Sequence, residues 1–364
     1  MKLSCGLVGL PNVGKSTLFN ALTRASAAVA NYPFCTVDPN VGMVPVPDPR
    51  LAALSALFNP KKTTPTYIEF VDIAGLVKGA SSGEGLGNQF LSHIREVSVI
   101  VHIVRCFDDS DIVHVNGQID PKGDIEIIET ELILKDLESV EKQLARVEKK
   151  SHSGDKEAQK EKALLEKIKN HLSSGKPSRS LAIADNEAAL MANMSLLTRK
   201  PVLYVANVAE SDIEKGNRYS EAVTRLAEQD KSRVVLMSGK IEAEIAALSP
   251  EEGALFLSEL GISESGLPRL IHASYELLGL ATFFTVGEDE VRAWTLPKET
   301  RAVESAGLIH SDIQRGFIRA EVTAYKDVME YKTPQAIKEK GLLRLEGKEY
   351  LVADGDCIYF RFNV

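Results

Sequence analysis

Gly9-Leu10-Pro11-Asn12-Val13-Gly14-Lys15-Ser16-Thr17 is the stretch on which the reading of this 364-residue chain turns. Its spacing is G-x-x-x-x-G-K-[ST]; an apolar run at 3–9 leads into it, and Leu18, Phe19, Ala21 and Leu22 follow at helical spacing. Strand, glycine loop and helix in that order make a phosphate cradle. Glycines let backbone N–H groups close around phosphate oxygens, and the helix N-terminus adds partial positive charge. Asn12, Val13, Gly14, Lys15, Ser16 and Thr17 would then surround a triphosphate. Lys15 would reach the β- and γ-phosphates, and the Ser16 hydroxyl would ligate Mg²⁺.

Two downstream pieces suit the same chemistry. Asp72-Ile73-Ala74-Gly75 follows an apolar run at 67–71, so Asp72 is a candidate for holding Mg²⁺ and the Gly75 N–H for facing the γ-phosphate. Thr36, in Asn31-Tyr32-Pro33-Phe34-Cys35-Thr36, stands where switch-type NTPases place a threonine on Mg²⁺. Gly79, Gly83, Gly85 and Gly87 fit either a mobile switch segment or a static loop.

Further apolar runs at 97–106, 201–207 and 233–237, separated by helix-like stretches, predict a parallel α/β sheet. Residues 125–174 interrupt it, charge-rich and free of proline. Ile133, Leu137, Val140, Leu144 and Val147 form a heptad seam there; Ala158, Leu165, Ile168 and Leu172 resume it after a break at 151–155. The pattern predicts an inserted antiparallel helical hairpin, or alternatively two surface helices packed on the main core. From about Leu280, strands at 293–296, 318–325, 343–345 and 357–362, with a helix near 302–307, predict a small α+β module.

Composition narrows the function classes. An apolar fraction of 44% and charged fraction of 26% are ordinary for a globular protein, and the net charge of −8 excludes whole-molecule electrostatic binding to nucleic acid. Sequence-specific DNA is not an expected partner. Cys5, Cys35, Cys106 and Cys357 form no Cys-x-x-Cys pair, which argues against zinc or a disulfide framework and fits a reducing compartment. Neither a signal peptide nor a membrane-spanning run is evident, so a cytoplasmic location is expected.

The P-loop with its following Leu-Phe-Asn, together with Asn-Tyr-Pro-Phe-Cys-Thr and Asp-Ile-Ala-Gly-Leu-Val, resembles the Obg-related GTPases. The helical insert and the ending Asp-Gly-Asp-Cys-Ile-Tyr-Phe-Arg-Phe-Asn narrow the resemblance to the YchF or Obg-like ATPase family, over essentially the whole chain. It implies a G domain at 1–124 and 198–277, a coiled-coil insert at 125–197 and a TGS domain of β-grasp fold at 278–364. It also implies an ATPase associated with ribosomes, on the large subunit or the 70S particle.

Base choice is read from Asn207-Val208-Ala209-Glu210, where guanine binders carry Asn-Lys-x-Asp. Valine replaces the lysine stem that lies along the base, and glutamate is one methylene longer than aspartate. Both changes misplace the guanine-reading carboxylate, leaving Asn207 and the Val208 backbone to serve an adenine edge. Ser238-Gly239-Lys240 pulls the other way, resembling the Ser-Ala-Lys loop of guanine binders. ATP is therefore the expected substrate, with GTP or dual use the alternative.

Leu76 stands where many switch GTPases have a water-orienting glutamine. Intrinsic hydrolysis should then be slow, or another group must act. His114, on the loop after 97–106, is either a water-orienting imidazole or a solvated or structural histidine, and a nucleotide-sensing scaffold without turnover is a further alternative. Asn12 stands where K⁺-dependent relatives supply a K⁺ ligand, which adds K⁺ to Mg²⁺ as a candidate cofactor. The distal hairpin, 142–162, carries seven Lys or Arg against four acids, fitting either a solvated tip or a ribosomal contact. Residues 281–364 hold twelve bases and fourteen acids, so charge makes no case for RNA binding there. Cys35, beside Thr36, is a candidate for thiol regulation or simply a packed cysteine.

Overall fold

The computed structural model describes residues 3–27, 40–73, 86–110, 117–151 and 155–363. Cys35, Thr36, Gly75, Leu76 and His114 lie outside these residues, so the roles expected for them carry no structural description. The first strands are β1 (Ser4–Val8), β2 (Val41–Pro45), β3 (Lys62–Thr64), β4 (Tyr67–Asp72), β5 (Val99–Cys106) and β6 (Val202–Val208). There follow β7 (Arg233–Met237), β8 (Leu280–Val286), β9 (Glu290–Pro297), β10 (Phe317–Ala324), β11 (Arg344–Glu346) and β12 (Asp356–Phe362). The helices used below are α1 (Lys15–Ala27), α2 (Pro49–Phe58), α3 (Leu86–Glu96), α4 (Pro121–Ser151), α5 (Lys156–Ser173), α6 (Ala188–Asn193), α7 (Arg218–Asp230) and α8 (Gly239–Ile245).

One sheet runs in the order β2-β4-β1-β5-β6-β7. β1 pairs in parallel with β4 and β5, β5 with β6, and β6 with β7. β1, β5 and β6 are buried at every position, which is why they read as unbroken apolar runs rather than alternating ones. The parallel order brings the C-terminal ends of five strands to one edge, where loops meet a ligand in such sheets.

The hairpin is real, and its two helices pack on each other. Ile133, Val140 and Val147 of α4 are buried with Ala158, Leu165, Ile168 and Leu172 of α5, and Leu137 and Leu144 close the seam. Each buried Leu or Ile contributes roughly 1.5–3 kcal/mol, so the pair carries its own core. The first turns of α4 bury Ile125, Ile128 and Leu132, and the helix packs there against β5 and α7. The base is anchored by polar groups. Arg179 reaches Glu129 at 2.6 Å and Asp230 at 2.8 Å. The buried Asp136 carboxylate accepts from the N–H groups of Leu197 and Thr198, both at 2.8 Å.

By contacts the chain divides into two units, Met1–Met43 with Glu69–Ser274, and Val44–Ile68 with Tyr275–Val364. Residues 44–68, assigned from sequence to the N-terminal domain, group by contacts with the C-terminal unit, and the hairpin groups with the N-terminal one. The C-terminal sheet has the order β11-β10-β12-β8-β9-β3. β8 and β9 form an antiparallel pair and β12 joins β8 in parallel, with the helix Ala302–Ile309 packed on Phe283, Ala320 and Phe360; this is a β-grasp arrangement. β3 adds itself to β9, and Leu51 and Leu54 of α2 are buried with Phe284 and Val291. Asp48 caps α2, and Arg50 reaches Asp354 at 2.7 Å. β8 was not expected from sequence as a strand; it begins where the change of character was noted.

Candidate functional site

β1 ends at Val8 and α1 begins at Lys15, so residues 9–14 form the loop between them. Asn12 (φ 64°) and Gly14 (φ 94°) both occupy the left-handed region, which asparagine tolerates and glycine adopts freely. A Cβ at residue 14 would run into the Asn207 side-chain amide. The first helical bond, Leu18 N–H to Gly14 carbonyl at 3.0 Å, leaves the preceding amides of α1 without acceptors in the helix. No acidic side chain occupies that first turn. Amides without helical acceptors and an uncompensated helix N-terminus favour an anion.

Lys15 Nζ donates to Asp72 Oδ1 in a partly buried ion pair. The register explains the meeting, since Leu7 in β1 lies beside Asp72, the last residue of β4. Ser16 follows Lys15 at the start of α1. A hydroxyl and a carboxylate are hard oxygen donors, the set Mg²⁺ prefers, so these residues fit that ion. No group of three or more His, Cys, Asp or Glu able to hold a metal occurs among the described residues. Mg²⁺ habitually keeps waters and takes substrate phosphates as further ligands, so a sparse protein set is what it needs.

Beyond the loop lies a cleft of about 1320 Å³, lined by Asn12, Gly14 and Thr17, by Phe107–Asp109, and by the loops after β6 and β7. Val208, Glu210 and Ser238, the sequence's candidates for the base site, are among its lining residues. Glu210 Oε2 is 4.0 Å from Lys240 Nζ, with both side chains largely in solvent. The Ser238 hydroxyl is buried, lines the cleft, and has no hydrogen-bond partner among the described residues. An unsatisfied polar atom at such a place suits a ligand contact.

Asn207 departs from expectation. Instead of being left for an adenine edge, its amide is committed to the protein. Nδ2 donates to the Val13 carbonyl and Oδ1 accepts from Gly239 N–H, both at 2.8 Å. The side chain is buried, and a buried amide demands such partners. It therefore ties the P-loop to the start of α8. Sequence reasoning also missed Phe107, Asp108 and Asp109 as a cleft wall, although the strand-edge rule that singled out His114 applies equally to them.

Burial raises the thiols of Cys5, Cys106 and Cys357 to about 12, which removes them from nucleophilic or redox chemistry. His102, inside β5, is pushed down to about 3, first by burial and then by the Arg179 charge, and is neutral. No helix among the described residues is long and apolar enough to cross a membrane.

A P-loop between β1 and α1, a carboxylate ending the adjacent parallel strand and the 1320 Å³ cleft beyond the loop define a P-loop NTPase of the G-domain class. Residues 4–150 match the family model described as "50S ribosome-binding GTPase", and residues 280–363 match the YchF-GTPase C-terminal model. The "Ribosome-binding ATPase YchF" of Bacillus subtilis (strain 168) is 57% identical over 366 residues, covering 100% of both chains. That of Escherichia coli O157:H7 is 51% identical, again over 100% of both. The structure of the Schizosaccharomyces pombe YchF GTPase superposes with a TM-score of 0.91 at 38% identity, covering 99% of this chain and 98% of that one. The chain belongs to the YchF family. A GTP-binding protein from Pyrococcus horikoshii OT3, at 18% identity and a TM-score of 0.58, shares the fold alone.

Proposed function

We propose that this protein hydrolyses ATP with Mg²⁺ and associates with the ribosome as a nucleotide-controlled switch. The observation that carries the reading is the Lys15–Asp72 pair beside the free amides opening α1. It sets the phosphate-binding cation against the carboxylate that would hold Mg²⁺. When bound there by Ser16, Asp72 and Thr36, the ion would neutralise charge on the β- and γ-phosphates. Asn12, Val13, Gly14, Lys15, Ser16 and Thr17 would bind the phosphates. Gly75 would donate its N–H to the γ-phosphate, and His114 would orient the attacking water in place of the glutamine absent at Leu76. K⁺ would join through Asn12.

Adenine is favoured because Val208 is apolar and buried where guanine binders carry a lysine stem, while Glu210 is engaged toward Lys240. Asn207 contributes by fixing the loops that contact the nucleotide. GTP is the second reading, favoured by Ser238-Gly239-Lys240 on the cleft. Ribosome association follows the names of the full-length relatives, with the helical insert at 125–197 and the module at 278–364 as the contacting surfaces. That role is consistent with a cytoplasmic location. Calorimetric titration of ATP and GTP into the protein with Mg²⁺ tests the core of the reading. ATP is expected to bind more tightly; tighter GTP would install the second reading, and binding of neither would sink both.

A further inference from the structure

We infer that Arg105 is a positioning residue for the nucleotide. Its buried guanidinium shapes the chain at 107–109 into one wall of the base cleft, and so governs affinity for base and ribose rather than for the triphosphate. The inference rests on the nucleotide reading of that cleft.

Arg105 is the lone charged residue of β5 and is only 1% exposed. A buried charge is costly unless its donors are satisfied, so the directions of those donors are informative. Nε donates to the Phe107 carbonyl at 3.2 Å and Nη2 to the Asp109 carbonyl at 3.3 Å. The guanidinium carbon lies 4.6 Å from the centre of the Phe107 ring. Two carbonyls two residues apart meet one planar fork only if the chain folds back over it as the strand ends. A lysine, with a point charge and no fork, cannot hold both in the same way. Across the ladder, Arg105 faces Asn207, the residue that braces the P-loop.

A second clamp holds the same wall. Asn217, the N-cap of α7, donates from Nδ2 to the Cys106 carbonyl at 2.8 Å and to Asp212 Oδ2 at 2.7 Å. It thereby links the chain entering 107–109 to the turn after β6, whose Glu210 and Ser211 also line the cleft. Its Oδ1 separately accepts from Tyr219 and Ser220 N–H, both at 3.0 Å. Neither Arg105 nor Asn217 lines the cleft, so both act through the residues they hold.

The test measures Mg²⁺-dependent binding of ATP and of inorganic tripolyphosphate to the full chain, its Arg105→Met and Arg105→Lys variants, and Asn217→Ser. Arg105→Met is expected to lose about tenfold in ATP affinity while its tripolyphosphate affinity holds within roughly twofold. Arg105→Lys recovers part of the loss. Asn217→Ser keeps a capping oxygen but removes the amide Nδ2 and, being one atom shorter, brings no donor to Cys106 and Asp212 together. It therefore gives the same ligand-selective pattern more mildly, and it carries the test if Arg105→Met does not fold. Equal losses for both ligands, or unchanged ATP affinity in Arg105→Met and Asn217→Ser, overturn the positioning role. Failure of the unmodified protein to bind ATP overturns the nucleotide reading itself.

Discussion

Replacing Asn207 with alanine deletes two hydrogen bonds of 2.8 Å at once, one to the P-loop carbonyl of Val13 and one from the Gly239 N–H opening α8. Both backbone groups are left in a buried environment, and an unsatisfied buried group costs about 1–3 kcal/mol, so the sum is roughly 2–6 kcal/mol. The loop it braces also contains Asn12 and Gly14, both in left-handed conformations. If about 2.8 kcal/mol of the loss falls on the binding-competent loop, nucleotide affinity drops about a hundredfold. Calorimetry with ATP, GTP and tripolyphosphate, beside a urea melt, reads both effects. A brace is blind to the base, so the three ligands should weaken by the same factor. Asn207→Asp keeps an acceptor for Gly239 but sets a carboxylate against the Val13 carbonyl, and should do no better than alanine. A loss confined to ATP and GTP, with tripolyphosphate untouched, would show that Asn207 reads the base and would refute the bracing argument.

Acid stability should carry the signature of His102. Its folded-state value is depressed to about 3 from an ordinary 6.5, so its contribution is fully present above pH 6.5 and is lost as pH falls toward 3. His102→Phe, which keeps a ring beside Tyr204 without a titrating nitrogen, should flatten stability against pH in that window; an unaltered slope would contradict the burial argument. Asp136→Ala strips the acceptor from Leu197 and Thr198 N–H at the base of the hairpin. A loss of about 2–5 kcal/mol is expected in equilibrium unfolding, with faster amide exchange at 197 and 198; protection like that of the unmodified protein would count against it.

Much of this architecture was legible because its signals are contiguous. The phosphate loop occupies nine successive residues, and its strand and helix adjoin it. The hairpin seam repeats every three or four residues, so α4 and α5 announced themselves before any contact was known. The segment 44–68 was harder. Asp48 caps α2 and Pro49 opens it, yet nothing local says that β3 pairs with β9 more than two hundred residues later.

Sequence alone marked Lys15 and its neighbours as a candidate phosphate cradle, Asp72 as a candidate for the same site, and a helical pair with a heptad seam as an interruption of the sheet. Each is a short-range pattern whose physics acts between neighbours along the chain. Tertiary structure decided that Asn207 spans 194 residues to brace Val13, that Arg105 shapes a cleft wall and that residues 44–68 join the C-terminal unit. The reason lies in burial. A polar side chain taken out of water takes whichever donor or acceptor the fold brings within about 3 Å, and that neighbour is set by strand order and register.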